Sequence, residues 1–212
     1  MESEIPDNEM NALLNQLACL DLQGKHLEIG TAAGGTLCKL CSFYKEHKNE
    51  IPQFWVVDPM KYFNDQLIVI KKNLQKNNIE AKKIRFLTCK SRQAQKIAKI
   101  ENPSFDFMLI DGSHKQKYVT EDLMWSRFLR VGGLLCAHDF SPQFPGVFRS
   151  INEFLKNYKN YKVLFTEGSL IGIQKVAPSA SHEVSLGMVF NATVQGFLSQ
   201  ITNSLSKRMR FN

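Results

Sequence analysis

The chain is predicted to be an α/β protein: a mostly parallel sheet, helices on both faces and an antiparallel hairpin at its C-terminal end. Three observations predict this. Helical and strand-like segments alternate along nearly the whole length, the pattern of βα units. Two apolar runs, Phe105 to Ile110 and Val131 to Ala137, stop abruptly at Asp111-Gly112-Ser113-His114 and at His138-Asp139. Buried parallel strands read as such runs, and ligands collect at the carboxyl ends of strands in open α/β sheets. Finally, a glycine-rich turn, Gly30 to Gly35, separates the first strand from a helix.

Each element has a local reason. Met10, Leu13, Leu14 and Leu17 give an amphipathic N-terminal helix. Lys25-His26-Leu27-Glu28-Ile29 is the first strand, and the helix after the glycine turn runs to about His47. Phe54 to Asp58 is the second strand, stopped by Pro59; a helix then spans about Tyr62 to Asn77. Lys83 to Thr88 is the third strand, and Ser91 is expected to cap a helix through Ile100. Asn102-Pro103 breaks the chain before the strand Phe105 to Ile110. The helix after His114 is expected to carry Tyr118, Trp125 and Leu129 on one stripe, widened by Met124 and Phe128. After the fifth strand, Pro145-Gly146 opens a helix to about Tyr158. Tyr161 to Thr166 and Leu170 to Val176 flank the turn Glu167-Gly168-Ser169 as a hairpin.

Beyond Val176 the composition changes. Ala177-Pro178-Ser179-Ala180-Ser181 is a small-residue linker, and Phe190, Val194, Phe197, Leu198, Ile201 and Leu205 then fall on one helical face. The opposite face is uncharged and polar, and Lys207-Arg208-Met209-Arg210 closes it. A stripe of this kind marks an interaction surface; a homodimer contact ranks ahead of peripheral contact with an anionic bilayer.

The composition, 43% hydrophobic and 22% charged over 212 residues, fits one globular domain with an appendage. No stretch approaches the roughly 18 apolar residues of a spanning helix, and the acidic start, Met1 to Asp7, has no apolar signal region. Five cysteines, an odd number set in apolar segments, point away from a disulfide framework and towards a reduced, cytoplasmic setting. Cys38-x-x-Cys41 has no second ligand pair and reads as core rather than zinc. The net charge is +7. Its basic residues, Lys71-Lys72, Lys82-Lys83-Arg85, Lys90, Arg92, Lys96, Lys99, Lys115 and Lys117 among them, are scattered and read first as solvated helix faces. A phosphorylated substrate, nucleic acid or an anionic membrane are the alternatives. Nucleic acid is not expected, because no basic motif interleaved with aromatics occurs.

Chemistry concentrates at strand ends. Gly30 lets a ligand pass close to the backbone, and the helix start after it presents free N–H groups. Gly30-Thr31-Ala32 lacks the second glycine with which a dinucleotide fingerprint admits a pyrophosphate. Glu28 suits a ligand with a positive end, and Asp58 stands where an acid accepts ribose hydroxyls. Together these suggest an adenosine ligand without a pyrophosphate.

Glu28-x-Gly30-x-x-x-Gly34-x-Thr36, Asp58, Asp111-Gly112-Ser113-His114-x-x-x-Tyr118, Asp122-Leu123-x-Trp125, and Gly132-Gly133 with His138-Asp139 together resemble the class I S-adenosylmethionine-dependent methyltransferases. Within them the chain is most similar to the small bacterial macrocin-type sugar O-methyltransferases, and it is similar to the catechol O-methyltransferases. The resemblance covers about Lys25 to Val176. It implies a Rossmann-like three-layer sandwich with seven strands, organised as a helical segment over 1–24, a catalytic domain over 25–176 and the linker with its tail helix over 177–212. It also implies roles. Glu28 would hold the methionine ammonium, directly or through water, Gly30, Thr31, Ala32 and Thr36 would line the methionine pocket, and Asp58 with Pro59 would take the ribose. Ser91 would meet the adenine, Asp111 would lie between donor and acceptor, and His114 would match the general base. In metal-dependent relatives the equivalents of Asp111, His138 and Asp139 bind magnesium. His138 departs from the usual carboxylate, yet two aspartates at matching strand ends exceed what a histidine-only mechanism requires, so magnesium is carried as an expectation. The acceptor implied is a hydroxyl of a sugar, glycan or other small molecule. Two competing functions are a non-catalytic binding or scaffold protein that keeps the pocket and, disfavoured by the missing glycine, a nicotinamide-dependent dehydrogenase.

Overall fold

The computed structural model describes residues 3–20, 22 and 24–178. The tail helix expected near 185–210 lies outside them. Six helices and seven strands follow in the order α1 (Asp7–Cys19), β1 (Lys25–Ile29), α2 (Gly35–Lys48), β2 (Phe54–Val57), α3 (Gln66–Lys76), β3 (Ile84–Leu87), α4 (Ser91–Glu101), β4 (Phe105–Ile110), α5 (Gln116–Leu123), β5 (Leu129–Ala137), α6 (Pro145–Asn157), β6 (Tyr161–Glu167) and β7 (Leu170–Lys175). The strand order is β3-β2-β1-β4-β5-β7-β6, with β1 to β5 parallel and β7 antiparallel to both of its neighbours.

Two apolar layers sandwich this sheet. Leu27, Ile29, Met108 and Ile110 face Ala94 and Ala98 of α4, Val119 and Leu123 of α5, and Ile151 and Phe154 of α6. Val56, Phe107, Leu109 and Cys136 face Leu13 and Leu17 of α1, Leu37 and Leu40 of α2, and Ile70 and Leu74 of α3. Every residue of β2 and β4 is buried, which is why these strands read as unbroken apolar runs. Asp106 is the exception within β4. It sits at the end away from the site, where it accepts from the Gly24 N–H at 2.8 Å and from Arg130 Nε at 2.7 Å.

Three expectations need correction. Ser91 is the first residue of α4 rather than its cap; the Gln93 side chain instead accepts the Lys90 N–H at 3.3 Å. The stripe from Tyr118 to Leu129 does not exist as one helix. α5 ends at Leu123, a 3₁₀ segment covers Met124–Phe128, and Leu129 already belongs to β5. Tyr118 is exposed while Trp125 is fully buried. α3 starts at Gln66 rather than near Tyr62, because Asp65 before it takes a left-handed φ of 58°.

Within the hairpin the second strand, β7, joins β5, and β6 forms the edge. Burial explains the choice. Nearly all of β7 is buried, whereas most of β6 is exposed and carries Lys162 and Glu167, charges that suit a sheet edge.

Candidate active site

The sheet changes direction of winding between β1 and β4, and their carboxyl ends meet at Gly30 and Asp111. Gly30 has a φ of 82°, and a Cβ there would lie 2.2 Å from the Asp111 carbonyl oxygen. Only glycine permits that approach. A cavity of about 980 Å³ opens above this crossing, lined by Gly30, Thr31 and Ala32, by Asp58 and Pro59, by Ser91, by Asp111 and His114, and by His138 and Asp139. Ten of the residues singled out from sequence therefore share one cleft.

Two do not line it. Thr36 sits in the first turn of α2 with its hydroxyl 2.7 Å from that of Ser3, turned to the N-terminal segment instead of the cavity. Glu28 lies beneath the floor, 1% exposed, with no hydrogen-bond partner for either carboxylate oxygen. Burial, and then the charges of Asp111 and Asp58, raise its pKa to about 8, against the pull of the Thr31 hydroxyl beside it.

Asp58, just past β2, is held in place by backbone donors: Thr31 N–H reaches Oδ2 at 3.1 Å and Met60 N–H reaches Oδ1 at 2.6 Å. Each oxygen keeps a lone pair for a further donor. Ser91 Oγ accepts from Trp125 Nε1 at 2.9 Å, and Asp122 bonds to the same hydroxyl. Burial raises Asp122 to about 7, partly offset by that bond. Asp58 thus faces the cleft with acceptor capacity to spare, whereas Glu28 is buried below the floor and does not open onto it.

The opposite wall is built from β4, β5 and two other elements. His114 Nε2 lies 2.7 Å from Asp139 Oδ2, and the Phe144 ring packs 4.5 Å from the imidazole. Gly146, early in α6, lets that helix close on this loop; a Cβ would come within 2.2 Å of the His114 carbonyl oxygen. Asp139 has a φ of 59°, a conformation that aspartate tolerates better than most side chains. His138 Nδ1 is 3.2 Å from Asp111 Oδ1 and 3.6 Å from Asp139 Oδ2, and its Nε2 is 3.0 Å from Glu9 Oε2. Burial disfavours a charged His138, but the bond to Asp111 and the charges of Asp111, Asp139 and Glu9 outweigh it and raise the pKa to about 9.

Glu9 was not singled out from sequence. It is 4% exposed and accepts the Ser169 N–H of the β6–β7 turn at 2.6 Å. Its signal was an acid on the α1 stripe, four residues before Leu13 and eight before Leu17. Cys38 and Cys41 are buried, free thiols with pKa values pushed up first of all by burial, which agrees with their assignment to the core.

A family profile described as a methyltransferase domain matches residues 27–140, from the middle of β1 to just past β5. The chain belongs to this methyltransferase family. It is an S-adenosylmethionine-dependent enzyme on that account, and a nicotinamide dehydrogenase is set aside. No curated protein matches it in sequence. Among solved structures, the O-methyltransferase NovP is 14% identical with a TM-score of 0.67, covering 80% of each chain. A TDP-rhamnose 3′-O-methyltransferase of calicheamicin biosynthesis is 13% identical with a TM-score of 0.63, over 81% of this chain and 87% of that one. An O-methyltransferase from Bacillus cereus, solved in complex with SAH, is 14% identical with a TM-score of 0.59, over 81% and 83%. At such identities these likenesses concern the fold.

Proposed function

We propose that the protein methylates a hydroxyl oxygen of a small molecule, such as a sugar, with His114 as the general base. The observation that carries this reading is the 2.7 Å pairing of His114 Nε2 with Asp139 Oδ2, on the wall of the cavity whose other side holds Asp58. With Nε2 held by a carboxylate, Nδ1 is the nitrogen left to accept a proton. An imidazole is suited to that task near neutral pH. The donor supplies a methyl group on a sulfonium, open to in-line displacement. Glu28 beneath the glycine turn and Asp58 at the end of β2 would hold its ammonium and ribose, with Ser91 and Pro59 beside the nucleoside. In the transfer, the oxygen–carbon bond forms as the carbon–sulfur bond breaks, the electron pair stays on sulfur, and His114 takes the hydroxyl proton. The named O-methyltransferases of like fold accord with an oxygen acceptor.

Magnesium at Asp111, His138 and Asp139 fits less well. One ligand atom from each comes within 4.8 Å of the others, but magnesium prefers an all-oxygen set. His138 Nδ1 is hydrogen-bonded to Asp111, and its Nε2 lies 3.0 Å from Glu9 Oε2 as an ion-pair contact without hydrogen-bond alignment, surroundings that favour a cationic imidazole over a metal ligand. His138 is therefore assigned as a fixed positive charge that pairs Asp111 with Glu9, and no step is routed through a metal.

The division into a catalytic unit over 25–176 with flanking segments is kept as a proposal, refined by α1, whose Leu13 and Leu17 belong to the same core as the sheet. No described helix is long and apolar enough to cross a membrane. The homodimer, the bilayer contact and the cytoplasmic setting rest on sequence features alone. A scaffold role is disfavoured because His114 and Asp139 come together on the wall of the cleft.

The direct test is His114→Ala. Binding of S-adenosylhomocysteine should persist, while methyl transfer from labelled donor to hydroxyl acceptors falls by roughly 10²–10⁴. Undiminished turnover removes His114 as the base.

A further inference from the structure

We infer that the methyl acceptor carries a phosphate group and is held by a basic rim of Lys61, Lys90, Arg92, Lys96 and Lys117. This inference rests on the methyltransferase function above and adds the charge of the acceptor to it. The five residues come from three separate segments, the turn after β2, the first half of α4 with the residue before it, and the start of α5, and all line the same cavity. Among the described residues none of the five is in an ion pair, so their charges are not neutralised by a neighbouring carboxylate.

Acids in the cavity occupy a different level. Asp58, Glu121 and Asp122 are buried and Asp111 and Asp139 are nearly so, while four of the five bases are exposed and Lys117 is half-buried. Glu4, from the N-terminal segment, is the exposed acid among the described lining residues. The cleft thus has an acidic floor and a basic mouth. S-adenosylmethionine, with a sulfonium and an ammonium against one carboxylate, is a net cation. It is attracted by the floor and gains nothing from the mouth.

Space is available: about 980 Å³ is at the top of the range for a single drug-sized ligand, so an acceptor fits beside the donor. Lys117 follows His114 by three residues, so one of the five rim residues shares a segment with the base.

The test uses the full chain saturated with S-adenosylhomocysteine and titrated with inorganic pyrophosphate by calorimetry at low salt. The comparison is between wild type, the double variant Arg92→Glu/Lys117→Glu, and a control, Lys71→Glu/Lys72→Glu, on the exposed side of α3. One pyrophosphate site is expected, weakened by about tenfold or more in the first variant through loss of charge-assisted bonds and unchanged in the control. Absence of pyrophosphate binding, or equal loss in both variants, overturns the inference. Single-stranded RNA binding the rim more tightly than pyrophosphate also overturns it, in favour of a nucleic-acid acceptor. Failure of wild type to bind S-adenosylhomocysteine would instead strike the methyltransferase function itself, and the first titration reports it separately.

Discussion

The carboxylate of Glu9 lies 3.0 Å from Nε2 of His138 and so ties the first helix to the end of β5. Glu9 stands outside the span matched by the methyltransferase profile, and the Ser169 N–H that steadies it stands outside too. The N-terminal helix therefore completes the wall on which Asp111, Asp139 and His114 stand.

Glu9→Gln keeps an acceptor for Ser169 and removes the charge facing His138. Donor binding should hold, because Glu9 does not line the cavity. Turnover is expected to fall by about tenfold or more, as for loss of one charge-assisted contact. His138 loses its charge as pH rises through about 9, so removing a neighbouring carboxylate should move the alkaline limb of the rate profile to lower pH. An unmoved limb with full turnover would leave Glu9 a purely structural residue.

Asp58→Ala should weaken S-adenosylhomocysteine by about 1.5–3 kcal/mol, the worth of a hydrogen bond to a charged group. The same change frees the Thr31 and Met60 N–H groups that Asp58 now holds. Asp58→Asn, which retains an acceptor, is expected to lose less. Calorimetry on the two variants separates the ribose contact from support of the glycine turn.

Glu28 gives the apoprotein a pH signature. Its folded-state pKa of about 8 exceeds the usual 4.5, so the folded state binds a proton more tightly than the unfolded chain between those values. The associated stability is full below about pH 4.5 and is lost as pH rises towards 8. Glu28→Gln should remove that loss, on the order of a few kcal/mol, and unfold at higher temperature than wild type at pH 8 but not at pH 5. Parallel melting curves for the two proteins across this range would contradict the burial of an unpaired acid.

Chelation decides the role of His138. With His138 as a fixed cation, turnover should survive treatment with a strong chelator. Loss of activity that magnesium alone restores would instead make Asp111 and Asp139 metal ligands, with the imidazole displaced.

The local features of this chain carried most of the fold. Apolar runs ending in Asp111 and in His138-Asp139, the turn after Ile29, and breakers such as Asn102-Pro103 placed strands and helices to within a few residues, because side-chain period and backbone restriction act over a few positions. The same locality exposed Asp58 and His114, which stand at strand ends where packing does not explain them. Where neighbours in sequence were not neighbours in space, the inference stopped. That β7 rather than β6 pairs with β5, that Thr36 turns to Ser3, that His114 meets Asp139, and that Glu9 reaches His138 depend on elements far apart in the chain. Each was decided by which surfaces the closed sheet brings together and by the need of buried charges and hydroxyls to find partners there.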